Sequence, residues 1–425
     1  MLRVANSPQV AEHAAAAGRS LAARGAGCLP LAVVLSCEGH CEPALGVVRA
    51  LGERGVPVIV LSETAQAAAA LSRHCVEHVV APQLGGNPQA LHAALSDLAD
   101  RHGGPLPVFP TVDPDLDTLV RLAPSLDARL APVVGEPGLM LQLMDKAAFQ
   151  AIAQAQGLPV PRTWSPASQA ELADAAREAR YPVIAKPAFP YHWHSALAQA
   201  FSGKKAQLLD DAPALLAFGA TLGERDLGVL VQEYVPGADD QHIDVHAYVD
   251  RQGRALATFA GCKRRIYPAH AGSGCYVEAL DLPELERRTV DMLQRIGFTG
   301  LANVNYKRHA VTGEYALLEI NPRVSQWGFF TTRAGVNLPW LAYCDRVGLD
   351  AGPLPARRVG LRYVDSTRDL KAFRQYHAAG ELTVAAYLRS LFRWRLIHQS
   401  LDWRDPVPGL SLLWRHARAV LGRAR

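Results

Sequence analysis

The chain has 425 residues, 49% of them hydrophobic and 20% charged, with a formal net charge of +4. That length exceeds what a single hydrophobic core serves and implies several domains. The small positive excess, without a dense basic patch or paired C-x₂-C motifs, argues against a nucleic-acid partner.

Residues 1–28 are alanine-rich, carry Arg3, Arg19 and Arg24 against Glu12, and lack an apolar h-region. They read as a flexible N-terminal extension and not as a secretory signal. The seven cysteines are scattered without framework spacing, which fits a reducing, cytoplasmic setting. "CEGHC" (Cys37 to Cys41) follows a predicted strand, where a strand-to-helix turn is expected, and no second ligand pair lies nearby.

From Leu29 the pattern is α/β. "LPLAVVLS" predicts a strand, "PALGVVRALGERG" a helix, "VPVIVLS" and "HVVAP" further strands, then a helix at 88–101 and the strand "LPVFP" at 106–110. Alternating strands and helices predict a Rossmann-like parallel sheet over residues 29–138. No G-x-G-x-x-G follows its first strand, which weakens a dinucleotide reading. "FPTVDPDLD" (109–117) sets polar residues at a strand's carboxyl end, where doubly wound sheets bind ligands.

A second unit spans 139–345. One helix is predicted from Leu139 through "MDKAAFQAIAQAQG", another at 168–179, then the strand "YPVIAKP", a long loop (188–206) and "GVLVQEYVPG". "DVHAYVDRQGRALATFAG" (244–261) predicts a hairpin, and a helix at 283–296, "GLANVNYK" and "YALLEINP" complete an α+β body. Residues 346–425 are predicted helical and are arginine-rich. Within them "VAAYLRSLFRWRLIHQSLDW" (384–403) has a wide apolar face broken by arginines. It fits either packing on the body or an interfacial helix making weak contact with an anionic membrane surface.

The chemistry concentrates in "LLEINPR" (317–323). Glu319 and Asn321 are two apart, so on a strand they share a face, and Pro322 ends the strand. Two hard oxygen donors with Arg323 beyond them suit Mg²⁺ carrying phosphate; a strand end with a solvated glutamate fits the heptapeptide equally well. Lys186 sits on the apolar strand "VIAKP", where it either meets an anion or reaches water at an edge. Trp327, Phe329 and Phe330 either wall an acceptor pocket or fill the core.

Taken in order, Lys146 in "MDK", Lys186 on a strand, "QEYVPG" and "LLEINPR" resemble the ATP-grasp superfamily over about Met144 to Tyr343. "MDKAAFQAIAQAQGLPVPRT", "EYVPGADDQHIDVHAYVD" and "LLEINPRVSQWGFFTTRAGVNLPWLAY" look like its bacterial carboxylate–amine ligase branch. The resemblance implies a Rossmann-like pre-ATP-grasp domain (29–138), a two-lobed ATP-grasp domain (139–345) and a helical C-terminal region (346–425). It implies ATP and Mg²⁺, with Mn²⁺ as an alternative ion, small-molecule carboxylate and amine substrates, and an assembly state open between monomer and homodimer. By position, Lys146 and Lys186 match phosphate ligands, Gln232, Glu233, Tyr234 and Val235 the adenine-reading strand, and His242 the ribose ligand. Lys263 and Arg265 match a basic pair near the γ-phosphate and the acyl phosphate. Glu319, Asn321 and Asn305 match the metal ligands, and Arg323 a phosphate clamp. Two positions depart from the pattern: Asn305 replaces an acid, and the phosphate-covering loop has only Gly203 beside Lys204 and Lys205. They motivate an alternative, a weak or inactive ATP-binding protein that regulates or scaffolds a biosynthetic pathway.

Overall fold

The computed structural model describes residues 3–4, 29–36, 42–82, 84, 86–188, 200–201, 206–223, 227–392 and 396–422. "AVVLS" (Ala32–Ser36) and "VIVLS" (Val58–Ser62) are buried at every position, the pattern of parallel strands covered on both faces. They pair in parallel at the centre of a six-stranded sheet. Its order is Arg3–Val4, Cys75–Val80, Val58–Ser62, Ala32–Ser36, Leu106–Phe109, Leu130–Pro132. The expected Rossmann-like unit is present with one addition. Arg3–Val4, from the stretch expected to be flexible, forms an antiparallel edge strand on Cys75–Val80. Residues 5–28 and "CEGHC" lie outside the described residues.

The single helix expected from Leu139 to Gly157 is two, Pro137–Met144 and Lys146–Ala155. Asp145 separates them. Its backbone is extended and its carboxylate accepts from the amides of Ala147 and Ala148, a cap that a short acidic side chain makes better than it continues a helix. The break sets Lys146 in the first turn of the second helix.

Two further sheets follow. A four-stranded sheet, ordered Thr163–Trp164, Val229–Glu233, Val183–Pro187, Gln207–Leu209, has its own small core of Leu172, Val183, Ala185, Phe201, Leu215 and Val231. A seven-stranded sheet is ordered Tyr315–Asn321, Gly300–Arg308, His242–Val249, Ala255–Tyr267, Ser273–Leu280, Arg362–Val364, Leu396–His398. It shares one apolar core with the first sheet, running from Val33 and Leu61 through Leu116 and Phe149 to Val245, Val304 and Ile320.

The C-terminal region is therefore not purely helical. Two three-residue strands, too short to leave an alternation in the sequence, extend the seven-stranded sheet. The stretch 384–403 is not one helix either: Val384–Leu391 is helical, residues 393–395 lie outside the described residues, and Leu396–His398 is a strand. A continuous interfacial helix there is excluded. Among the described residues no helix is long and apolar enough to cross a membrane.

This region returns to the first sheet through a buried ion pair. Arg49, fully buried on the helix Glu42–Gly52, bonds Asp405 at 2.9 Å and the carbonyls of Gln399, Ser400 and Asp405. Removing one partner of such a pair strands the other charge. Arg49→Ala is expected to cost about 3–5 kcal/mol in urea unfolding, and an unchanged midpoint would contradict this role.

Candidate active site

The strands Tyr315–Asn321, Gly300–Arg308 and His242–Val249, at one side of the seven-stranded sheet, set their polar residues in rows. His242 lies opposite Lys307; Asp244 opposite Asn305, and Asn305 opposite Glu319; His246 opposite Asn303, and Asn303 opposite Asn321. Residues directly opposite one another share a face, so these side chains form one polar field between alternating apolar positions such as Ile243, Val245 and Ala247. Gly261 lies opposite Asp244 in the fourth strand. A Cβ there would stand 2.7 Å from the Trp327 ring, so glycine lets that ring close over the sheet.

Lys263 reaches into the field, with Nζ 2.8 Å from Asp244 Oδ1 and 3.3 Å from Asn305 Oδ1. From the four-stranded sheet, Lys186 Nζ donates to Gln232 Oε1 at 2.9 Å, and Gln232 Nε2 donates to Thr163 Oγ1 at 2.9 Å. Lys146 Nζ donates to the carbonyl of Pro187 at 3.2 Å. Lys307 Nζ stands 4.0 Å from the centre of the Tyr234 ring, a cation–π contact.

Charge is the organising feature. Burial alone would push the Glu319 carboxyl up, but Lys146, the Asn321 amide, Lys186 and Lys263 together hold it below its ordinary range. The lysines are correspondingly strained. Burial, then repulsion from Lys146, lowers Lys186 to about 8, with Glu319 opposing; burial lowers Lys307 to about 8. His242 is driven far down by burial and by Lys263, Lys307 and Lys186, so its ring is neutral. Burial raises Asp244 to about 6 against the pull of Lys263. The field thus holds more positive charge than its carboxylates neutralise, which suits a polyanion.

Glu319, Asn321 and Asn305 offer one carboxylate and two amides on one face, and Asn321 Nδ2 donates to Glu319 Oε1 at 3.1 Å. This hard-oxygen set fits Mg²⁺, which commonly takes one or two carboxylates together with substrate phosphates. Among the described residues no group of three or more His, Cys, Asp or Glu side chains could hold a metal, so the amide oxygens and a phosphate ligand would have to complete the shell.

The structure brings together Lys146, Lys186, Gln232, His242, Lys263, Asn305, Glu319 and Asn321. Glu233 turns away, accepting from the Arg180 amide at 3.1 Å, while Tyr234 donates to the Gly237 carbonyl and Val235 is buried. Arg265 is not brought to this face. Register shifts on either side of it set Lys263 opposite Val277 but Arg265 opposite Tyr276, and consecutive residues point to opposite faces. Its guanidinium lies 3.9 Å from the Tyr276 ring centre and bonds Asp369 through Nε at 2.7 Å and Nη2 at 2.9 Å. Arg323 has an acidic partner too: it pairs with Asp113 in "FPTVDPDLD", Nη2 to Oδ2 at 2.8 Å. Trp327 and Phe330 are buried in an apolar cluster, Phe329 is buried with its ring facing the Arg49 and Arg333 guanidiniums, and the Trp327 ring lies 4.2 Å from that of His246. Gly203, Lys204 and Lys205 lie outside the described residues. Sequence reasoning missed Asp244, His246, Asn303 and Lys307. Their signal was the alternation "HIDVH", which becomes a site only once the register to "NVNYK" is known.

A sequence profile described as "ATP-grasp in the biosynthetic pathway with Ter operon" matches residues 227–368. D-aspartate ligase from Enterococcus faecium is 31% identical over 49% of this chain and 51% of its own length. The carbamoyl phosphate synthase large chain of Thermus thermophilus is 27% identical over 79% of this chain and 30% of its own. The chain thus spans about half or less of these curated relatives. Among solved structures, the biotin carboxylase domain of Hydrogenobacter thermophilus 2-oxoglutarate carboxylase, in complex with MgADP, ADP and bicarbonate, superposes with a TM-score of 0.58 at 15% identity, covering 78% of this chain and 73% of that one. N5-carboxyaminoimidazole ribonucleotide synthetase from Thermus thermophilus gives 0.57 at 17%, covering 78% and 81%. At these identities the superpositions establish the fold.

Two outcomes follow from the charges. Lys186 is protonated below its lowered pKa of about 8, so ADP affinity measured by calorimetry should hold below that pH and weaken as pH rises through it. Lys186→Ala should weaken binding about tenfold or more, the size of one charge-assisted contact. By contrast, Arg265→Ala should cost about 3–5 kcal/mol of stability by stranding Asp369 while leaving the ADP Kd unchanged. A loss of affinity without a loss of stability would return Arg265 to the site.

Proposed function

Because this chain belongs to the ATP-grasp superfamily, we propose that it is an ATP-dependent ligase joining a carboxylate to an amine. In this reaction the substrate carboxylate attacks the γ-phosphorus, ADP leaves, and the amine displaces phosphate from the acyl phosphate to leave an amide. The observation that supports it best is the partly buried Glu319 held ionised by Lys146, Lys186 and Lys263, with oxygen donors in register beside it.

Within that reading Lys146 and Lys186 bind the phosphates, and the strand through Gln232 to Val235 borders the adenine. Neutral His242 hydrogen-bonds the ribose. Glu319, Asn321 and Asn305 would hold Mg²⁺, which would offset phosphate charge when bound. Lys263, tied to Asp244 and Asn305, is placed to meet charge developing on the transferred phosphoryl group. Catalysis here is positioning and charge neutralisation, as in other phosphoryl transfers.

A regulatory or scaffolding ATP-binding role is the second reading. Asn305 favours it: its Nδ2 donates to Asn303 Oδ1 at 3.1 Å, and the row contributes one negative charge fewer than an acid would.

Glu319→Gln preserves shape and removes the metal-holding charge, so ADP release should fall on the order of 10²–10⁴-fold with the fold intact. Asn305→Asp should be tolerated or shift the Mg²⁺ titration to lower concentration. ADP release from wild type with pooled carboxylates and amines separates ligase from regulator. Wild-type ATP binding without turnover under any pool would leave the regulatory reading.

A further inference from the structure

The sheet face that carries Lys263 continues beyond it. Val277 lies opposite Lys263 and Tyr363 opposite Val277, so Tyr363 projects on the Lys263 side. Asp365 follows that strand and caps the helix Ser366–Ala378, its Oδ1 accepting from the Arg368 amide. Three other segments close around this point. Gln326 Nε2 donates to Glu42 Oε2 at 2.9 Å, Gln399 Nε2 donates to the Gln326 carbonyl at 3.0 Å, and the Gln399 amide donates to the Val364 carbonyl at 3.0 Å. Asp365 and Gln399 line one cavity.

Four polar atoms here are buried with no hydrogen-bond partner: Asp365 Oδ2, Tyr363 OH, Gln399 Oε1 and Arg368 Nη1. Asp365, Tyr363 and Gln399 are only 4%, 1% and 4% exposed. Buried polar groups are normally satisfied, and an unpaired one is costly. One carboxylate oxygen and one guanidinium nitrogen thus both lack a hydrogen-bond partner in the same cluster. Burial and then Asp365 raise Glu42 to about 7, with Gln326 and Arg368 opposing. Arg368 thus acts on both carboxyls electrostatically, while its Nη2 donates to the Tyr267 carbonyl at 2.9 Å.

We propose that this cluster is the amine-substrate subsite of the ligase and that it takes an α-amino acid, with the ammonium between Glu42 and Asp365 and the carboxylate on Arg368. The proposal rests on the ligase reading above for the word substrate and on the cluster itself for the chemistry. A zwitterion supplies the cation and the anion that the cluster lacks. A simple amine would leave Arg368 unmatched, and a simple carboxylate would leave Asp365 unmatched and meet Glu42. Tyr363, on the Lys263 side of the sheet, orients the bound amino group towards the phosphate end of the site.

The test is calorimetry on the full chain with ADP and Mg²⁺ present. Each common α-amino acid, in both enantiomers, is compared with its decarboxylated amine and its deaminated acid. At least one amino acid should bind, with both counterparts weaker by about tenfold or more, the loss of one charged contact. Glu42→Gln and Asp365→Asn should each weaken that amino acid similarly while ADP affinity stays unchanged. Asp365→Asn keeps an oxygen for the helix cap, and circular dichroism checks the fold. Absence of any amino-acid binding in protein that binds ADP, equal binding of the amine counterpart, or indifference to both substitutions would each overturn the proposal. Amino-acid binding that both substitutions weaken, in a chain that releases no ADP, would keep the site and overturn the ligase reading instead.

Discussion

A carboxylate kept ionised inside the protein is the constraint from which the site follows. Glu319 is partly buried, which by itself would raise its pKa, and three lysines from three different elements hold it ionised. Lys186 is itself disfavoured in turn, lowered to about 8 by lost hydration and by repulsion from Lys146. Glu319 and Asp244 together cannot neutralise Lys146, Lys186, Lys263 and Lys307. The balance left over is a preformed positive field, and preorganised charge is worth most where water is excluded.

Register turns that field into geometry. Asp244, Asn305 and Glu319 stand abreast because three antiparallel strands stay in register up to that row, the shift against Tyr315–Asn321 falling just beyond it, between Asn305 and Tyr306. A bulge two strands away has the opposite effect, turning Arg265 out of the site and into a buried pair with Asp369. Lys186 sits on a sheet with its own core, whereas Glu319 belongs to the sheet that shares its core with the first domain. The two charged partners are thus carried by separately packed bodies, the arrangement a cleft requires.

The last 60 or so residues tie into both bodies of the large core. They add two strands to the central sheet, supply Asp369 to Arg265, and send Asp405 back to Arg49 beside the first parallel sheet. Asp365 and Arg368 lie at the junction, and that is why a polar cluster forms there between elements as much as 284 residues apart across the Gln326–Glu42 bond.

The parallel sheet, most of its helices and the strand "LLEINPR" were legible because local patterning determines them: continuous apolar runs, alternation, and two oxygen donors at period two. The family likeness was legible for the same reason, in short ordered motifs. The helix break at Asp145 was overlooked although its signal, a capping aspartate, was present. The bulge at Arg265, the partners of Arg323 and the short C-terminal strands were not legible, because each depends on which distant segment lies opposite. Spacing in the sequence places Lys263 and Arg265 on one face; only the pairing with Ser273–Leu280 separates them. The sequence by itself determined which residue types were available for phosphate and metal chemistry, since those follow from side-chain charge and local period. Which of them face one another was decided by tertiary register and burial, because a charge acquires a partner, and a shifted pKa, only from what the fold packs against it.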